Sequence, residues 1–457
     1  MEWLTVLPPL IAILVVLWKK EVILALLLSI VSAEFLLILK ADGSNLLLTP
    51  INTIERVVST IGDGGNARIL IFSLLVGALL AFMRDSGGVA AFVNKLISSG
   101  IAKTKRRAAG ITMFTGIVVF IESNLSVLTA GIMARGLFDK FKMSRARLAY
   151  IIDSTSAPVC ILILLNGWGA YILALLSTYE LDQNPLVMLW STLPYNVYAW
   201  LTLVVVAYTI FADKTHGPMK EAEQKLERID SHVKLAEPSK ARYMILPLGV
   251  MIVGMIGFML WTGNGDLTKG SGSRSVLYAT FLACIVGYAL IVFSKQTNHQ
   301  GAFKLGFSGM SELLPLVTIV MLSIGLGASL KVLGTGVFVA GLVGDFLPIF
   351  LIVPMLFIAG GIISFTTGTS WGTFAILIPI GMPLIQTLGL PPELVLAAIL
   401  GGGIFGDHCS PISDTTAVSS LAAGCDLLNH VKTQLPYALT VGAVTVLAYI
   451  VLSLVLI

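Results

Sequence analysis

The chain is poor in charge: only 12% of its 457 residues are Asp, Glu, Lys or Arg, while 56% are hydrophobic. An average soluble domain carries roughly 25% charged residues, so an ordinary soluble fold is excluded. Cysteine is scarce as well. Cys160, Cys284, Cys409 and Cys425 lie in or beside apolar runs without CxxC spacing, which argues against disulfides and a structural zinc. HExxH and phosphate-loop patterns are missing, so neither an enzyme nor a cofactor is expected. The net charge of +4 sits mainly on loop lysines and arginines, a pattern that orients a membrane protein and does not imply nucleic acid.

Long apolar runs fill the chain instead, among them Trp3 to Trp18, Val22 to Leu39, Met188 to Phe211, Tyr243 to Trp261 and Thr433 to Ile457. Most approach the roughly 20 residues needed to cross a bilayer. The expected fold is an all-α polytopic membrane protein with about ten transmembrane spans. The first run is too long for a signal-peptide core and lacks a basic lead-in, so it reads as a permanent span. Lys19 with Lys20, Lys103 to Arg107, Lys140 to Arg147, the Lys214 to Arg242 loop, and Lys295 with Lys304 should all be cytoplasmic.

Residues 108–138 lie between two of these basic clusters as two short apolar arms around Glu122, Ser123 and Asn124. Each arm spans about 21 Å as a helix, short of the roughly 30 Å core. A re-entrant hairpin keeps both basic flanks on one side. A second pair of arms, over about 347–388, flanks the polar tip TTGTSWGT, and its outer ends carry no Lys or Arg; it should enter from the opposite face. LLVGALLAFMRDSGGVAAFV from residue 74 resembles LSIGLGASLKVLGTGVFVAG from residue 322, FIESN pairs with FTTGT, and DSTSAPV with DHCSPIS, at a near-constant separation. The expected organisation is two inverted repeats, residues 1–212 and 243–457, joined by a solvated cytoplasmic linker over 213–242. Such repeats are common in secondary transporters.

After each hairpin comes a run that cannot stay helical: about 146–178, interrupted from Asp153 to Pro158, and about 393–424, interrupted from Asp407 to Thr416. Proline removes a donor and disfavours helix before it, while Ser, Thr and Asp bond the freed backbone. Two tips and two breaks would then converge on one polar chamber. Its acids are Glu122, Asp153, Asp407 and Asp414, with no Lys or Arg. Its other candidate contacts are Ser123, Asn124, Thr155, Ser156, Thr367, Thr369, Ser370, Ser410, Ser413 and Thr415. Oxygen ligands of this kind suit a small hard cation, and acids at membrane depth persist where ions or polar substrates are handled. A desolvated carboxylate that holds a proton and yields it to Na⁺ is sufficient for exchange, with Na⁺ placed at Asp407 or Asp414. The plainer reading makes these aspartates helix caps and pairs Glu122 with Arg135. His408 is a pH-sensing candidate or a strut. His216, His232, His299 and His430 lie in or beside loops and need no role.

The string GDHCSPISDTT, with SFTTGTSWGTF upstream, resembles the NhaC-type Na⁺/H⁺ antiporter family of the ion-transporter superfamily along nearly the whole chain. GTSW at 368–371 matches the small-residue tip, and Asp407, Ser410, Pro411, Ser413, Asp414 and Thr415 match the second-break motif. The resemblance implies two re-entrant hairpins, two broken helices, and secondary active transport in a bacterial inner membrane. It also implies a homodimer whose hairpin domain moves as an elevator. His408 with Cys409 marks a subgroup linked to amino acids, lactate or malate exchange, and drug efflux. The alternative function is therefore Na⁺- or H⁺-coupled antiport of an organic solute.

Overall fold

The computed structural model describes residues 2–19, 21–41, 45–98, 102–120, 123–164, 166–176, 179, 183–226, 237–266, 269–335, 338–339, 341 and 347–457. Among these the chain is helical and contains no strand. Eight helices are long and apolar enough to cross a membrane, or ten when each of two bent pairs counts as one span. The chain is thus a multi-pass membrane protein.

The first half runs α1 (Leu7–Lys19), α2 (Val22–Ala41), α3 (Thr49–Gly62), α4 (Gly64–Asp85), α5 (Gly88–Ser98), α6 (Lys105–Val118), α7 (Ser123–Lys140), α8 (Arg145–Ser154), α9 (Ala157–Cys160), α10 (Gly167–Leu176), α11 (Pro185–Ser191) and α12 (Val197–Phe211). The linker holds α13 (Pro218–Lys225). The second half runs α14 (Arg242–Thr262), α15 (Gly272–Phe293), α16 (His299–Glu312), α17 (Leu314–Leu333), α18 (Ile352–Thr367), α19 (Ser370–Leu388), α20 (Pro392–Cys409), α21 (Asp414–Ala423) and α22 (Leu427–Leu456).

Both hairpins form, as α6–α7 and α18–α19. Ser126 Oγ of α7 donates back to Gly116 O of α6 at 3.0 Å. α18 runs alongside α20 with the backbones almost touching. A Cβ at Gly402 would lie 2.3 Å from Phe357 O, and one at Gly406 would lie 2.1 Å from Gly361 O, so only glycine permits this approach. α19 returns in the opposite direction along α20, from Phe374 beside Gly403 to Gly381 beside Ile399.

Helix lengths and end contacts fix the depth of the breaks. α8 and α21 have ten residues each, or about 15 Å, half of a roughly 30 Å hydrocarbon core. Their outer ends share one face: Arg145 Nη1, at the start of α8, donates to Ala423 O at the end of α21 at 2.7 Å. Arg135 of α7 donates to Ala422 O and Leu421 O at 2.7 and 2.6 Å. Two guanidinium groups thus cap the carbonyl end of α21, where its dipole favours cations. The base of the first hairpin lies on this basic face. The second hairpin packs along α20 with its open end directed toward Pro392, at the opposite end of the α20–α21 path, so the two hairpins open in opposite directions.

Three runs depart from the sequence expectation. The stretch 146–178 is interrupted twice: at Thr155 and Ser156, and again between Cys160 and Gly167. Asn166 organises the second interruption. Its Nδ2 donates to Phe120 O, Cys160 O and Ile163 O, while its Oδ1 caps α10 through Trp168 N and Gly169 N. Met188 to Phe211 is no single helix, since α11 and the short turn after it meet α12 at 44°. The described part of the linker is not simply solvated. Met219 is buried, and Glu223 Oε1 accepts from Ser144 N and Ser144 Oγ at 2.8 and 2.7 Å, which fastens α13 to the start of α8.

Candidate functional site

Asp407 is the last acid before the second break, and its carboxylate points at the tip of the second hairpin. Ser370 Oγ donates to its Oδ2 at 2.7 Å and Ser370 N at 3.4 Å, while Ser413 Oγ donates to Oδ1 at 2.6 Å. The side chain is therefore shared by three chain segments: the end of α20, the first residue of α19 and the residue capping α21. Ser413 also contacts Thr415 Oγ1 at 2.9 Å and accepts from Thr416 N. Ser410 Oγ donates to Phe365 O at 2.7 Å, which fastens the break to α18. Asp407 is buried, yet it forms part of the wall of a cavity of about 270 Å³.

Ser123, Asn124, Thr369, Asp414 and Thr415 line the same cavity, with Trp168, Trp371 and Glu312. Asn124 Nδ2 donates to Asp414 Oδ2 at 3.2 Å, so the first tip meets the second break across the chamber. Neither Lys nor Arg is among these described lining residues. Three helices, α7, α19 and α21, begin at this cavity, and their N-terminal amides partly offset two carboxylates there. At the far end Glu312 is held by Arg84 through two contacts of 2.8 Å. Arg84 precedes Gly87, whose carbonyl accepts from Ser239 N of the linker, so the cavity reaches toward the linker-bearing face.

Other expected site residues fall elsewhere. Glu122 lies outside the described residues. Thr155 Oγ1 bonds back to Ile151 O, and Thr367 Oγ1 to Ile363 O, within their own helices. Ser156 Oγ donates to Ser123 O at 2.9 Å and joins the first break to the first tip. Asp153 and His408 do not line the cavity; they lie on the opposite side of α20. A helix turns its successive side chains by about 100°, so Asp407 and His408 look different ways. His408 Nε2 meets Ser154 Oγ at 2.9 Å, and its Nδ1 meets Tyr198 OH at 2.9 Å. The two breaks are thereby tied together at one depth. Asp153 Oδ2 accepts from Gln434 Nε2 at 2.7 Å and meets His430 Nε2 at 3.2 Å.

Sequence reasoning missed several of these partners. His430 lies beside a loop in the sequence, but α22 carries it into the interior with no exposed surface. Glu312 and Gln434 carry no local sequence signal, whereas Asn166 opens the string NGWG at 166–169, a turn-forming pattern inside an apolar run. Glu34 of α2 is also buried. It accepts from Arg56 Nε of α3 and Ser329 Oγ of α17, each at 2.7 Å, away from the chamber.

An uncharacterized protein of Haemophilus influenzae is 31% identical over 98% of this chain and 90% of its own length. The malate-2H⁺/Na⁺-lactate antiporter of Bacillus subtilis is 31% identical over 46% of this chain and 42% of its own. The crystal structure of the Alcanivorax borkumensis YdaH transporter superposes with a TM-score of 0.62 at 15% identity, covering 91% of this chain and 89% of that one. That likeness establishes the shared fold alone. Residues 159–454 match the Na⁺/H⁺ antiporter family, which includes both Asp407 and the break that holds it, and the chain belongs to that family.

Proposed function

We propose that this antiporter exchanges Na⁺ for H⁺ across a bacterial inner membrane, with Asp407 as the group on which the two ions compete. The observation that carries the reading is the seat of Asp407. It is a buried carboxylate flanked by two serine hydroxyls at the junction of hairpin tip and broken helix, on the wall of a cavity without a described basic residue. Carboxylate and hydroxyl oxygens make a hard-cation site, and a buried carboxylate emptied of its cation takes a proton to shed its charge. Asp414 and Thr415 stand beside it as further oxygen ligands. The opposite directions of the two hairpins support inverted repeats over 1–212 and 243–457, and with them alternating access around a midplane site.

A second reading, exchange of an organic solute coupled to Na⁺ or H⁺, is favoured by cavity size. About 270 Å³ is the volume of roughly nine liquid waters, more than a bare cation needs. Trp168 and Trp371, with ring centroids 4.6 Å apart, offer a wall, and the three helix N-termini could hold a carboxylate. The Bacillus subtilis relative is named for exchange of malate and lactate.

Proteoliposomes separate these readings. Dissipation of an imposed pH gradient by Na⁺ alone is the expected result for ion exchange. Retention of the gradient with Na⁺ alone, and its collapse only when a labelled amino acid or hydroxy acid is present, assigns the organic reading. A gradient untouched by any of them sinks both.

A further inference from the structure

We propose that Asp153 and His430 form a second proton-binding site, separated from the cavity by α20; this deepens the exchange reading and rests on it for its role in transport. The two side chains are 1% and 0% exposed, and Gln434, which bonds the same carboxylate oxygen, is 1% exposed. Gln434 Nε2 also donates to His408 O at 2.6 Å, satisfying a carbonyl freed by the break. Both of its amide hydrogens are thus committed to acceptors. Asp153 Oδ1, His430 Nδ1 and Gln434 Oε1 have no hydrogen-bond partner among the described residues.

Charge decides what such a pair does. An ionised Asp153 beside a neutral His430 carries one buried negative charge; one added proton makes the pair neutral, whether it resides on the imidazole or the carboxylate. Burial strongly favours the neutral state, and the proton belongs to the pair as a unit. The other titratable groups acting on Asp153 are His408 and Cys409 of α20 and Tyr198 of α12, none a fixed cation. Asp407 lies just across α20, near enough for the two carboxylates to act on each other. A cation arriving at Asp407 therefore eases release of the proton from the Asp153–His430 pair, and cation departure draws it back. Asp153→Asn keeps the shape of the pair. His430→Gln keeps a donor toward Asp153 and leaves the carboxylate as the one member of the pair that takes a proton.

The test uses the purified full chain in nanodiscs, with protons released on adding Na⁺ counted in weak buffer. Both variants are expected to bind Na⁺ within about threefold of the parent; Asp153→Asn releases roughly half as many protons per bound cation, while His430→Gln, whose proton resides on the Asp153 carboxyl alone, keeps the count but releases over a displaced pH range. Release from Asp153→Asn equal to that of the parent overturns the proposal. Failure of the parent to bind Na⁺ or release protons overturns the exchange reading instead. The pair is then judged by infrared titration without cation. A carboxylic-acid or imidazolium band that titrates in the parent and is absent from Asp153→Asn supports the site; no such band in the parent overturns it.

Discussion

Asp407→Asn separates charge from shape. The amide keeps one oxygen for Ser370 N and one of the two serine hydroxyls, and the other hydroxyl can turn to accept from the new NH₂ group, so the local bonding survives. Loss of one charge-assisted bond costs roughly 1.5–3 kcal/mol, and the protein should remain folded. A cation in the same seat loses much more. Two unit charges about 4 Å apart in a medium of effective dielectric near 20 attract by roughly 4 kcal/mol, close to a thousandfold in affinity. The variant also has no group to protonate at this position. Na⁺ affinity followed through Trp371, which lines the same cavity, should fall by two to three orders of magnitude, and Na⁺-driven pH-gradient dissipation should vanish. Retention of Na⁺ affinity within about threefold, with normal coupling, would refute Asp407 as the shared ligand.

Asp414→Asn removes a cavity-facing carboxylate bonded by Asn124 but leaves the seat of Asp407 intact; Na⁺ affinity should fall by roughly tenfold, about 1.4 kcal/mol, and an unchanged isotherm removes Asp414 from the ligand set. Gly406→Ala puts a methyl carbon 2.1 Å from Gly361 O, so α18 must shift. Overpacking of this kind costs typically 1–3 kcal/mol, seen as a lower melting temperature together with weaker Na⁺ binding. Asn166→Ala leaves three carbonyls and two helix-start amides without their partner. A loss of at least 2 kcal/mol is expected, measured by thermal unfolding in detergent, and a stability unchanged from the parent removes Asn166 as the organiser of that turn.

The parts of this fold legible in the sequence are those imposed by the bilayer. Apolar run length marked the spans, and the serine, threonine, aspartate and proline clusters marked breaks that have to be satisfied locally. The second break reads well because Pro411 and Ser413 act on their own neighbours: the helix stops at Cys409 and restarts at Asp414. The second interruption of 146–178 reads less well, since Asn166 closes that turn against Phe120, 46 residues away. A one-residue window cannot reveal that partner. Thr155 and Thr367 lie near a break too, but neither lines the cavity, and each hydroxyl donates to a carbonyl one turn earlier.

The division between Asp407 and His408 is the clearest case of information that only packing supplies. In sequence they are one polar patch, and both read as chamber residues. On a helix, neighbours about 100° apart face different surroundings, and which surroundings depends on what is packed there. The hairpin tip brings Ser370 to Asp407, while α8, α12 and α22 bring Ser154, Tyr198 and Gln434 to His408. The motif thus serves two polar assemblies at one depth, one open to the cavity and one sealed. Because α20 forms the wall of both, any movement of the second hairpin that reshapes the seat of Asp407 also loads the contacts of His408. His408→Ala should therefore alter Na⁺ binding without touching the cavity, and an isotherm identical to the parent's would show that the two assemblies are mechanically independent.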